Sequence, residues 1–241
     1  MPQMRSRTAA LAVAVWLAAT HAIPESGGAN AASADSDVLA RFVARPDEPT
    51  RSFRARRRLE ITSGALGKTA WMDVEVDVDP QHGFRYGVIA AGGSAMLQER
   101  ILHKVLSAEQ QVYAAGANPK PALTIDNYTF APGGRDERGL VRLLASARRK
   151  EVGLLNGQFL VTPDTADLVE VSGTMAKGPS FWIPRIDMTK RYARVRGHRV
   201  NVRVDSVSHV RLLGESRFTM TTEYQSIDGD TVQVLGALAA L

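Results

Sequence analysis

Acidic side chains at every second position, five scattered histidines and a glycine turn ending in Lys-Thr are the groups of this chain with types and spacings suited to chemistry. In WMDVEVDVD (71–79) the acids are Asp73, Glu75, Asp77 and Asp79. Two carboxylates can divide acid and base roles, but glycoside chemistry needs them across a cleft with separated pKa values. A regular ladder on one strand face does not supply that separation. His21, His82, His103, His198 and His209 form no HExxH or other short ligand spacing. Gly64-Ala65-Leu66-Gly67-Lys68-Thr69 ends like a phosphate-binding loop, yet the full GxxxxGK pattern requires glycine where Thr62 stands. That segment also lies between two strands rather than ahead of a helix, so it reads as a turn. No serine sits in a GxSxG setting. Asn127-Tyr128-Thr129 fits a glycosylation sequon but falls in a strand. Cysteine is absent, which excludes disulfides, thiolate-bound zinc, iron–sulfur clusters, thiol catalysis and a lipobox anchor. No catalytic constellation emerges: the expectation is a protein that is not an enzyme, with no metal and no cofactor.

The elements that carry these residues follow from periodicity. Val74, Val76 and Val78 alternate with the four acids, so the valines share one face of a strand and the acids the other. One wet face favours an antiparallel sheet over the doubly buried strands of an α/β fold. A preceding strand over 52–61 carries Arg54, Arg56 and Arg58, which can pair with that acidic face across the strands. Residues 80–83 make a turn into a partner strand over 84–91. From 94 to 114 the period changes to helical, with Ser94 as N-cap and Ile101, Val105 or Leu106 and Val112 on one side. Further strands are expected over 123–131, 154–161, 167–174, 180–193, 199–207, 216–225 and 232–235. Leu140, Leu143, Leu144 and Ala147 recur at helical spacing ahead of Arg148, Arg149 and Lys150, which predicts a short helix over 139–149. A short helix over 38–43, capped by Asp35 or Ser36, is also expected. At least eight strands and one long helix make the fold class mainly β with α: a large curved antiparallel sheet.

The 241 residues, 44% hydrophobic, suffice for one sizeable core, and no internal boundary is visible. Arg5 and Arg7 precede the uncharged run TAALAVAVWLAA, and Thr20-His21-Ala22 supplies small residues for cleavage. Residues 1–22 therefore read as a secretory signal peptide, with later cleavage points up to 34, followed by a flexible segment over 23–37 and a single domain over 38–241. No stretch is long enough for a transmembrane helix in the mature chain. The expected location is the bacterial periplasm. A net charge of +5 without finger, helix-turn-helix or interleaved aromatics does not point to nucleic acid. Arg54, Arg56 and Arg58 remain as a patch that faces either water or an acidic partner.

Between 154 and 224 turn signals separate short strands at regular intervals, and Phe181, Trp182 and Ile183 form a large apolar cluster ahead of Pro184. That cluster suits either core packing or a movable rim over an apolar cavity. With its leader, a first block of strands, the helix over 94–114 and the segments LNGQFLVTPDTADLVEVSG and LLGESRFTMTTEYQSIDG, the chain resembles the LolA/LolB-like superfamily of periplasmic lipoprotein carriers, which includes RseB-type N-terminal domains. The resemblance covers roughly residues 38–235. It implies an unclosed β-barrel of about eleven strands, covered on its concave side by helices, that shelters an acyl chain. No position here matches the cavity arginine of the lipoprotein shuttle. The resulting expectation is a monomeric carrier or binding protein for lipid, lipoprotein acyl chains or another apolar ligand, with transport and outer-membrane lipoprotein sorting as its context. Cavity candidates are Val74, Val76, Val78, Trp182, Phe218, Met220 and Tyr224. The alternatives are an envelope sensor or protein-interaction module without ligand transport, acting through an envelope protein partner, and an uncharacterised enzyme.

Overall fold

Alternating apolar and polar side chains commit most of this chain to strands, and the computed structural model shows how they pair. It describes residues 26–45, 50–114, 123–212 and 214–232, with side chains of the first helix from Ser33 onward. The signal segment 1–22, the whole linker over 115–121 and all but the first position of the strand expected over 232–235 lie outside the described residues. In chain order the strands are β1 (Phe53–Ser63), β2 (Lys68–Asp79), β3 (Gly83–Gly93), β4 (Tyr128–Arg135), β5 (Val141–Ala147), β6 (Leu155–Val161), β7 (Leu168–Met175), β8 (Arg185–Val195), β9 (His198–Val210), β10 (Gly214–Ile227) and the two-residue β11 (Asp230–Thr231). They form one 11-stranded sheet in the order β3-β2-β1-β10-β9-β8-β7-β6-β5-β4, with β11 paired only to β10. Each neighbouring pair is antiparallel. The end strands β3 and β4 do not pair with each other, so the sheet curves without closing.

Helix α1 (Ser26–Ala44) and a composite helix, α2 (Ala95–Leu97), a π-helical turn (Gln98–Leu102) and α3 (His103–Val112), pack on the sheet. α1 lies over β4 and β5, while the composite helix lies over β1, β2 and β3. Among the described residues no helix is long and apolar enough to cross a membrane. Two cores result. In the first, Leu97, Leu102 and Leu106 press on Leu59, Met72, Val74, Val76 and Phe84. In the second, Val38 and Phe42 press on Val141, Leu143, Phe159 and Val171. Phe42 meets the rings of Phe130 and Phe159 edge-on, at 5.7 and 6.2 Å. Polar clasps fix α1: Asp35 accepts from Arg135 at 3.1 Å, and Arg41 donates to the carbonyls of Pro163 and Asp164 in the β6–β7 turn.

Three expectations change. The segment over 139–149 is not a helix but contains strand β5, bonded to β4 and β6. Leu140, Leu143, Leu144 and Ala147 fit a helical spacing, yet Val141, Leu143 and Ala145 also recur at two. Strands on both flanks and α1 above the face favour the second period: those three side chains are buried, and Leu144 is 47% exposed. Arg148 serves the loop before β4 instead of a helix end, donating to the Ile125 carbonyl at 2.7 Å. The first helix begins at Ser26 rather than near Val38, so it takes in residues expected to be a flexible segment. The strand expected over 180–193 starts at Arg185, because 180–184 folds into a tight turn closed by a Ser180–Ile183 bridge.

The register of β5 makes opposite demands on adjacent leucines. Leu143→Ala is expected to cost about 2–5 kcal/mol in urea unfolding, as for a fully buried leucine. Leu144→Ala is expected to change stability by less than about 0.5 kcal/mol. Equal losses from both substitutions would contradict the strand.

Candidate functional site

The outer face of β1 and β2 is a charge ladder. Arg54, Arg56 and Arg58 stand in register with Asp77, Glu75 and Asp73. Their ion pairs measure 3.8, 3.3 and 2.9 Å. Arg85 on β3 extends the ladder to Asp77 and Asp79, at 2.8 and 2.7 Å, and Arg58 also lies 4.2 Å over the Trp71 ring. The cross-strand pairing expected between the basic and acidic runs is therefore present. Each arginine of the sequence-derived patch already faces a carboxylate. Exposed pairs of this kind contribute about 0–1 kcal/mol each, so their effect is on register and solubility. Asp79 also caps the β2–β3 turn, accepting from the amides of His82 and Gln81, and these bonds hold its carboxyl below the ordinary carboxylate range.

The inner face is apolar with two charged interruptions. Period two along β1 sends Phe53, Ala55, Leu59 and Ile61 inward, and Arg57 with them. Arg57 is almost completely buried and pairs with Glu109 of α3 at 2.5 Å. Burial works against the guanidinium charge, but Glu109 outweighs it and raises the Arg57 pKa. The Phe53 and Phe84 rings flank the same guanidinium at 5.9 and 5.6 Å, while its Nε finds no partner. The second interruption is Lys190 on β8. It pairs in register with Val171 and Val204, both inward-facing, which places it on the inner face of the central strands.

Those central strands form the candidate site. Neither helix lies chiefly over β7, β8 or β9. A register row crosses them inside: Gly157, Gly173, Met188, Ser206 and Phe218. Gly157 and Gly173 face each other so closely that a Cβ at Gly157 would lie 2.1 Å from the Ser172 carbonyl oxygen, so the floor there has no side chain. Beside that row stand Val171, Lys190, Val204 and Met220. Met188, Tyr192, Phe218 and Met220 are only partly buried, against the edges of the two cores. The result is an apolar trough down the middle of the concave face, between the helices.

The cavity candidates read from the sequence separate into three groups. Phe218 and Met220 point into the trough. Val74, Val76, Val78 and Tyr224 also face inward but are sealed beneath the helix or by neighbouring strands, each less than a tenth exposed. Trp182 stands apart, in the β7–β8 turn, 58% exposed beside Phe181 at 68%. There the Trp182 carbonyl accepts from the Arg211 amide, and the Arg211 guanidinium lies 4.2 Å over Phe181, joining this turn to that of β9–β10. Arg57, Glu109, Lys190, Met188 and Tyr192 were missed. Counting by two from Leu59 back to Phe53, or from Met188 to Tyr192, would have placed both cations inside.

Polar groups elsewhere are held in local pairs and small clusters. Asp187 binds Arg185, Thr174 and His209, in that order of effect, and its carboxyl is held well below the usual range. His103 meets the Tyr86 hydroxyl at 3.2 Å, and His198 approaches Asp228 at 3.5 Å. Among the described residues no group of three or more His, Cys, Asp or Glu is placed to hold a metal ion. The Gly64–Thr69 segment is the β1–β2 turn, not a helix start.

Taken as a class, this is an open antiparallel half-barrel with helices over the two ends of its concave face. No family model matches the sequence, and no curated protein matches it. Among solved structures the chain is similar to a LolA superfamily protein from Nitrosomonas europaea, at 10% identity and TM-score 0.43 over 83% of this chain and 94% of that one. It is also similar to a DUF1329 family protein from Desulfovibrio piger, at 9% identity and TM-score 0.38 over 84% of this chain and 95% of that one. Both likenesses are distant.

The buried Arg57–Glu109 pair ties α3 to the inner face. Glu109→Gln is expected to destabilise by about 3 kcal/mol or more in chemical denaturation, because it leaves a buried guanidinium without its counter-charge. The double change Arg57→Met with Glu109→Leu is expected to cost much less. A larger loss in the double variant would show that the pair is not a coupled unit.

Proposed function

We propose that this protein is a non-enzymatic carrier or binding protein that shelters an apolar chain, of lipid or of a lipid-modified protein, in the trough between its helices. The supporting observation is the partial cover of Met188, Tyr192, Phe218 and Met220 on the central strands, between the two cores sealed by the helices. Leaving such side chains wet is unfavourable, and each methylene a ligand buries against them contributes ~0.8 kcal/mol. The export signal read over 1–22 supports a periplasmic place of action for a single domain of this design. The reading as a protein-interaction module through Arg54, Arg56 and Arg58 is less favoured, since each of those charges is already paired across the strands.

Native mass spectrometry of the full chain recovered from its export compartment checks this. The expected spectrum contains lipid adducts, and Met220→Trp, which fills the trough floor, is expected to lower their occupancy several-fold. A uniform unliganded mass, together with no uptake of added lipid, would remove the carrier reading.

A further inference from the structure

Lys190 is a cation that the apolar trough does not need for its own packing. Its neighbours across the strands are Val171 and Val204, with Met188 and Tyr192 two positions away along β8 and Met220 beyond Val204. Among the described residues its ammonium makes no ion pair or hydrogen bond. Burial lowers its pKa, and the one opposing charge, Glu109, is committed to Arg57. The contrast with the other inward cation is informative. Arg57 has a carboxylate of α3 in direct contact, whereas the same Glu109 acts on Lys190 only through space, with no ion pair among the described residues. An ammonium among apolar groups is unfavourable until an anion joins it, and the pair gains strength from the low local dielectric. The anion must then come from outside the fold, attached to something that the Met188–Phe218–Met220 surface can cover.

We infer that the trough's ligand is a single-chain amphiphile with one negative charge, a long-chain carboxylate, whose headgroup pairs with Lys190 while its hydrocarbon tail lies along Met188, Phe218 and Met220. This deepens the carrier reading and rests on it. A single cation matches a single carboxylate charge, and the partly buried Met188, Phe218 and Met220 beside it offer apolar surface for a tail.

The test uses the full chain stripped of lipid, with the uncharged fluorophore N-phenyl-1-naphthylamine reporting trough occupancy. Laurate and 1-dodecanol compete for it at neutral pH. Laurate is expected to displace the fluorophore at a concentration roughly tenfold or more below that of dodecanol, as for a charge-assisted contact. Lys190→Met is expected to abolish that preference, read as the ratio of laurate to dodecanol competition within the variant, and Lys190→Arg to retain it. Lys190→Gln serves as a second neutral variant, and circular dichroism confirms that each variant is folded. If the fluorophore binds but laurate shows no preference, or keeps it without Lys190, the headgroup inference fails and the carrier reading survives. If neither fluorophore nor dodecanol nor laurate binds the wild-type chain, both fail.

Discussion

An open sheet with one apolar face must have that face covered, and this sheet is broader than its helices. The two ends of the strand order, β3 and β4, do not meet, so curvature alone cannot seal the inside. Each edge is also unsuited to further pairing. β3 departs from regular register where Asp73 and Val74 oppose Ala90 and Val88, leaving Ile89 as a bulge, and β4 carries Pro132, Gly133 and Gly134. α1 roofs one end of the concave face and the composite helix roofs the other. The strands between them keep apolar side chains half covered.

Charge is partitioned by the same geometry. Arg56, Arg57 and Arg58 are consecutive, yet they meet different environments. Arg56 and Arg58 join an exposed ladder with Glu75 and Asp73, where water screens the pairing. Arg57 turns inward and is paired by a carboxylate from a helix 52 positions further along the chain. Lys190 turns inward without an ion pair among the described residues and feels Glu109 only through space. Period two assigned these side chains to their faces, and long-range packing determined which of them found a counter-charge.

Much of the strand layout was legible. The valine–acid alternation over 71–79 specified β2, its dry face and its pairing with the arginines of β1, because both sides of that pairing are written in local spacing. The helix following Ser94 was equally legible from its change of period, although the π-helical turn at Gln98–Leu102 was not. The segment holding β5 was misread since Leu140, Leu143, Leu144 and Ala147 satisfy a helical period while Val141, Leu143 and Ala145 satisfy a strand. Only the hydrogen bonds supplied by β4 and β6 distinguish the two. The eleven strands came from resemblance, and the structure has them.

The site shows the limit most clearly. Alternation alone placed Val74, Val76, Val78, Phe218, Met220 and Tyr224 on inward faces, and all six are there. It gave no means of separating Phe218 and Met220, which line the trough, from the four that are sealed; Trp182, read from its apolar cluster as core or rim, stands on an exposed turn. The order of residues along a strand determines which way each side chain points, since successive side chains alternate by geometry. Whether that side chain is then roofed depends on helices distant in sequence and on where an unclosed sheet ends. Those are properties of the assembled surface, and only the tertiary structure decided them.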